Sequence, residues 1–106
     1  MLLHTIERGK YARVVADRVV YIEASGQDQT TLHMADKRMI AVRGALGLIA
    51  AKFPTFSQAA KYCFVNPDHV YSIRLIGLRV HIKFGNGEKL DVGRSKKFYK
   101  QFLSSL

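Results

Sequence analysis

Cysteine is nearly absent from this chain. Cys63 is the only one, so neither a disulfide framework nor a thiolate metal cluster can be built. It sits in the apolar run Tyr62-Cys63-Phe64-Val65 and reads as a small buried hydrophobe rather than a nucleophile. Proline occurs only twice, and no long loop, repeat or low-complexity linker divides the 106 residues, which implies a single domain over residues 1–106. Acidic residues are scarce as well: eight Asp and Glu stand against seventeen Lys and Arg, a net charge of +9. That excess favours a polyanionic partner, nucleic acid ahead of an acidic membrane surface. No stretch approaches the ~20 apolar residues of a membrane span, so no membrane insertion is expected. The N-terminal MLLHTIERGK lacks the apolar segment of a secretory signal, and a cytoplasmic location is expected.

Catalytic and ligand motifs are missing too. The four histidines, His4, His33, His69 and His81, form no HExxH and no spaced set with carboxylates. His33 and His69 read as satisfied, half-buried residues. Gly85-Asn86-Gly87 lacks the Lys-Ser/Thr of a nucleotide-binding loop. The scattered carboxylates make no close pair for acid–base work. No catalytic residue, metal or cofactor is expected, and the chain does not read as an enzyme.

What is present is a succession of short strands. Leu2 to Glu7, Tyr11 to Ala16, Arg18 to Ser25, Thr30 to Ala35 and Arg38 to Val42 are rich in β-branched and aromatic residues, with polar turns between them. From Arg43 the period changes: Leu46, Ile49, Ala50 and Phe53 predict a short amphipathic helix closed at Pro54. Phe56 to Ala60 is ambiguous. Tyr62 to Asn66 and His69 to Leu75 follow as strands around a Pro67-Asp68 turn. The fold class expected is mainly β, antiparallel, with one or two short helices.

Leu78 to Gln101 carries the most information. Leu78, Val80, Ile82 and Phe84 alternate with Arg79, His81 and Lys83, which predicts a strand with one apolar and one basic face. Asn86-Gly87 predicts positive φ angles in a tight hairpin turn, and Leu90 and Val92 a return strand. A helix should follow Gly93, with Phe98, Phe102 and Leu106 on one stripe beside Tyr99 and Leu103. Lys96 and Lys97 fall in its first turn, where cations face the positive end of the helix dipole at a cost of about 0.3–1 kcal/mol each. A bound phosphate would remove that cost, because the free N–H groups already favour an anion. The stretch therefore reads as a phosphate-contacting edge, with His81 a weaker contributor.

The order of these pieces resembles the LytTR family, the DNA-binding output domain of bacterial response and quorum-sensing regulators. The matching residues are Val20-Tyr21-Ile22-Glu23-Ala24, Leu46, Phe64-Val65-Asn66 with His69-Val70, Asn86-Gly87, and Val92-Gly93-Arg94. The resemblance runs from about Tyr11 to Leu103. It implies an elongated antiparallel β fold that binds double-stranded DNA, with loops entering successive major grooves, often at direct repeats and sometimes as a homodimer on DNA. Carried over by position, the base contacts fall to Asp28, Gln29, Lys61 and Arg94. Phosphate contacts are assigned to Lys96, Lys97, Arg79, Lys83 and Arg43. Asn66 is assigned to structure, satisfying the backbone before Pro67.

Two departures bear on this reading. Ala60 and Tyr62 flank Lys61 where the family carries His and Ser around an Arg, and lysine lacks the planar bidentate fork of arginine. Gly93 replaces a Ser, leaving the helix start to Ser95 or the backbone. Two other classes fit the composition. One is a single-stranded nucleic-acid-binding β module stacking bases on Tyr62, Tyr71 or Tyr99, although each lies in a run that reads as core. The other is a protein-interaction domain with an acidic partner. No phosphoacceptor domain is recognisable, so the chain is expected to be an excised output domain or a regulator governed by a separate partner protein.

Overall fold

The computed structural model describes residues 1–106, apart from the side chain of Lys96. Ten strands and two α-helices follow in the order β1 (Leu2–His4), β2 (Tyr11–Arg13), β3 (Val19–Gly26), β4 (Gln29–Met34), β5 (Met39–Arg43), α1 (Leu46–Ala50), β6 (Ser57–Ala60), β7 (Cys63–Val65), β8 (Val70–Ile76), β9 (Arg79–Phe84), β10 (Lys89–Gly93) and α2 (Lys96–Ser104). Single turns of 3-10 helix precede β3 and β8. The strands form three antiparallel sheets: a β1-β2 ribbon, a central sheet ordered β5-β4-β3-β7-β6, and a three-stranded sheet ordered β10-β9-β8. The molecule is elongated, 44 × 25 × 19 Å. The expected mainly β, antiparallel fold with two short helices is the one observed.

β3 lies in the middle of the central sheet, and both its faces are covered. Val19, Val20, Tyr21 and Ile22 are all buried, so this strand shows a continuous apolar run instead of alternation. One face packs with Leu3, Val14, Val42, Ile49, Phe53 and Phe56 beneath α1 and the β1-β2 ribbon. The other packs against Val80, Ile82, Phe84, Leu90, Val92 and Phe102 from the three-stranded sheet and α2. Cys63 is fully buried in this second core, and burial pushes its thiol up to about 12.

Asn66 joins the two halves, in the structural role expected of it. Its Nδ2 donates to Val19 O at 3.0 Å, and its Oδ1 accepts from the Asp68 N–H at 3.1 Å. It is buried, so the bond to Val19 is made away from competing water, while the bond from Asp68 lies nearer the surface. His33 is buried too, its Nε2 2.7 Å from Glu23 Oε1 and its ring stacked on Tyr21 at 4.0 Å.

Local expectations fail at four places. Leu78 is not on the buried face: β9 begins at Arg79, and Leu78 is 81% exposed in the two-residue β8–β9 turn. Asn86 does not take a positive φ; Gly87 alone does, at +91°. The Asn86 side chain instead accepts from the Glu88 N–H at 3.0 Å, making a wider, side-chain-closed loop. α2 buries Phe102 and half-buries Tyr99, whereas Leu106 lies beyond its end and is exposed. Tyr62 and Tyr71, expected in the core, are exposed, because Tyr62 sits in the β6–β7 turn and Tyr71 in the edge strand β8.

Candidate nucleic-acid interface

The antiparallel pairings gather distant turns on one edge. β3 pairs with both β4 and β7, so the β3–β4 turn (Gln27, Asp28) and the β6–β7 turn (Lys61, Tyr62) emerge at the same end of the central sheet. The Ala24 N–H donates to Tyr62 O at 2.9 Å and ties the two turns together. The end of β5 arrives beside them through the Gln29–Arg43 pairing. From the three-stranded sheet come the β8–β9 turn and the β10–α2 junction, linked by the Arg94 N–H to Leu78 O at 2.8 Å. Five segments meet along this edge in two clusters.

In the first cluster Asp28, Gln29 and Arg43 line a shallow cleft of about 380 Å³ with Ile6, Gln27 and Gly44. Here the Arg43 and Gln29 side chains and the Asp28 backbone are engaged in internal bonds. Arg43 donates from Nε to Thr5 O at 3.1 Å and from Nη2 to Ile6 O at 3.3 Å, fastening the N-terminal ribbon to β5. Gln29 Nε2 donates to Ser25 Oγ at 3.2 Å. Asp28 holds φ of +53°, and its carbonyl accepts the Gly44 N–H at 2.7 Å. Gly44 itself has φ of +127°, and a Cβ there would lie 2.9 Å from Ile49 Cδ1. That position requires glycine.

In the second cluster Lys61 and Arg94 line one open cleft of about 480 Å³, together with Ala60, Tyr62, Leu78, Gly93, Ser95 and Phe98. Among the described residues no carboxylate lines it. The Arg94 guanidinium lies 5.0 Å from the centroid of the Tyr99 ring, which holds the planar group without using its N–H donors. Among the described residues no hydrogen bond or ion pair engages the side chains of Arg94 and Lys61.

The phosphate candidates are distributed unevenly. Arg79 pairs with Gly93 across β9 and β10, with its guanidinium about 4.0 Å from where a Gly93 Cβ would stand, so it borders the second cleft. Lys83 lies four residues further along β9, about 13 Å away at strand rise, and packs over Tyr71 at 5.6 Å. It is not gathered with the others. Lys97 is exposed at the start of α2, 5.4 Å from the Phe98 ring, and Lys96 precedes it with a side chain outside the described residues. The helix starts with no side-chain cap and no acidic residue in its first turn. The Ser95 side chain does not cap it; its carbonyl accepts the first helical bond, from the Tyr99 N–H at 2.8 Å, which leaves the N–H groups of the first turn without an intrahelical acceptor.

The outer face of the three-stranded sheet adds Arg74 and Lys89 to Arg79, His81 and Lys83. His81 there is paired with Asp91 through Nδ1, which reduces its availability to an anion. The sequence reading did not name Arg74, Lys89 or Leu78 as surface candidates, and gave Tyr62 only as a base-stacking candidate for single strands. For Leu78 a signal existed: Gly77, at φ +57°, marks a turn, and the residue after it belongs to that turn and not to the alternation.

Comparison with known proteins identifies the family and the fold. No curated protein matches the chain significantly. A solved LytTr DNA-binding domain from Bacillus cereus is similar in fold, with a TM-score of 0.77 at 18% identity, covering 99% of this chain and 94% of that one. The family model of the LytTr DNA-binding domain matches residues 9–104. With almost the whole chain matched, this protein belongs to the LytTr DNA-binding domain family, a DNA-binding family of transcriptional regulators and not a catalytic one.

Proposed function

We propose that this DNA-binding domain reads duplex sequence with its loop edge. The observation that carries the proposal is the convergence of Lys61 and Arg94, 33 positions apart in the chain, in one open, carboxylate-free cleft. Arg94 reads a guanine edge, its planar fork suited to O6 and N7. Lys61, Gln29 and Asp28 make the further base contacts, Asp28 as an acceptor. Arg79, Lys97, Lys96 and Arg43 hold phosphates, which set register and carry no sequence information, and Lys83 contributes at longer range. The longest dimension, 44 Å, exceeds one helical turn of about 34 Å, which is compatible with loops that address successive major grooves. Sites arranged as direct repeats, occupied by two copies and governed by a regulatory partner, complete the reading. A chain that acts on DNA in this way works in the cytoplasm and needs no catalytic group. The whole of residues 1–106 acts as the one binding unit.

The test is selection of binding sites from random duplex DNA, followed by titration of the winner and a scrambled control across salt. Recovery of a repeated motif, bound far more tightly than the control, supports sequence reading. Equal and steeply salt-dependent binding to both duplexes leaves only a phosphate binder. Tighter binding to the separated strands would favour base stacking on Tyr62 and Tyr71. Those two tyrosines sit towards opposite ends of the three-stranded sheet, which gives no continuous stacking platform.

A further inference from the structure

The second cleft holds more than cations. Tyr62, 43% exposed, and Leu78, 81% exposed, stand at its rim, with half-buried Phe98 in its wall. Leu78 is the most exposed large apolar residue of the chain and occupies a turn position where a polar side chain would serve the fold equally well. Its placement is nevertheless well defined. Gly77 takes the positive φ of the turn at +57°, and the Leu78 carbonyl accepts the Arg94 N–H at 2.8 Å. The backbone that presents Leu78 is therefore hydrogen-bonded to the backbone that presents Arg94. An isobutyl group held beside an unengaged guanidinium matches one feature of the major groove: a thymine C5-methyl next to a guanine edge.

We infer that Leu78 is a specificity-determining residue that packs on a thymine methyl adjacent to the guanine read by Arg94, with Tyr62 closing the apolar side of the contact. This rests on the proposal that the loop edge reads duplex DNA. It predicts a step the basic residues alone do not specify: the selected site contains thymine beside the Arg94 guanine.

Replacing thymines of the selected duplex by uracil, one at a time, removes only the methyl group. The wild-type chain should lose about fourfold in affinity at one or two thymines, the worth of one buried methyl. Leu78→Ala should bind the thymine and uracil duplexes equally, at the level of wild type on uracil. Arg94→Ala should bind both more weakly, and the thymine it leaves sensitive should lie next to the base pair at which its own preference is lost. Because Leu78 is exposed and outside the cores, Leu78→Ala should fold as wild type does. Sequence-specific binding that is insensitive to uracil everywhere, or uracil sensitivity that persists in Leu78→Ala, overturns the role of Leu78 and leaves the DNA-reading proposal standing. Failure of the selection to yield any preferred duplex overturns both.

Discussion

The two clusters on the loop edge are built in opposite ways. Around Asp28, Gln29 and Arg43 the polar groups are already bonded to the protein: Arg43 to two carbonyls, Gln29 to Ser25, the Asp28 carbonyl to Gly44. Around Lys61, Arg94 and Leu78 the backbone is bonded and, among the described residues, the side chains make no hydrogen bond or ion pair. The first cluster uses its chemistry to hold a positive-φ turn and the N-terminal ribbon in place. In the second, regular hairpins beneath supply the order, so the side-chain donors stay available. Substitutions in the first cluster should therefore cost stability as well as binding, and substitutions in the second should cost binding alone.

Gly44→Ala tests the first half of that statement most severely. A methyl group there meets Ile49 Cδ1 at 2.9 Å in a backbone conformation hostile to side chains, and about 1–3 kcal/mol of stability should be lost. Denaturant unfolding measures it, and an unchanged midpoint would show that the turn adapts. Arg94→Ala should leave the unfolding midpoint in place while binding to the selected duplex weakens by about 1–3 kcal/mol and one base preference relaxes. Equal losses on cognate and scrambled DNA would remove Arg94 from base reading.

Arg43→Ala should do both things moderately. Two hydrogen bonds to the ribbon disappear, at a cost of about 1 kcal/mol in stability, and affinity for all duplexes falls alike. If stability is untouched, the contrast between the clusters fails on its clearest member. Lys97→Ala should leave the fold alone and reduce the salt slope of binding by about 0.9, the value of one phosphate contact, without changing sequence preference.

A separate effect, confined to alkaline pH, concerns the core that holds Cys63 and Tyr21. Burial raises the Cys63 thiol from its ordinary 9.0 to about 12 and pushes the Tyr21 phenol upward as well. Above pH 9.0 the unfolded chain releases the thiol proton while the folded chain keeps it, so ionisation favours unfolding. Stability should be level below that pH and then fall by about 1.4 kcal/mol per pH unit for this group. Cys63→Ala should remove that part of the alkaline slope, as urea midpoints between pH 8 and about 10.5 would reveal.

Most of the architecture was legible because strand signals are local. Alternation in Arg79 to Phe84, β-branched runs at β3, the period change at Leu46 and the break at Pro54 each depend on near neighbours. Asn66 was legible for the same reason, since an asparagine before proline meets a local need for backbone donors and acceptors. Leu78 was misread where alternation was carried one residue past its strand, and Asn86 where a two-residue turn was expected in place of a four-residue loop closed by its own side chain. Tyr62 and Tyr71 were misread because apolar neighbours in sequence do not reveal which strand lies at a sheet edge.

The sequence by itself determined most of the succession of strands along the chain, the excess of positive charge, the isolation of Cys63 and the family pattern that marks a DNA-binding domain. Only the tertiary structure decided that Lys61 and Arg94 share a cleft, that Arg43 is tied to the N-terminal ribbon, and that Leu78 projects beside Arg94. The physical reason is range. Periodicity and turn chemistry act over a few residues, whereas the meeting of turns follows from which strands pair, β3 with both β4 and β7 and β9 with both β8 and β10. Those pairings are selected by burial of two cores drawn from the whole chain.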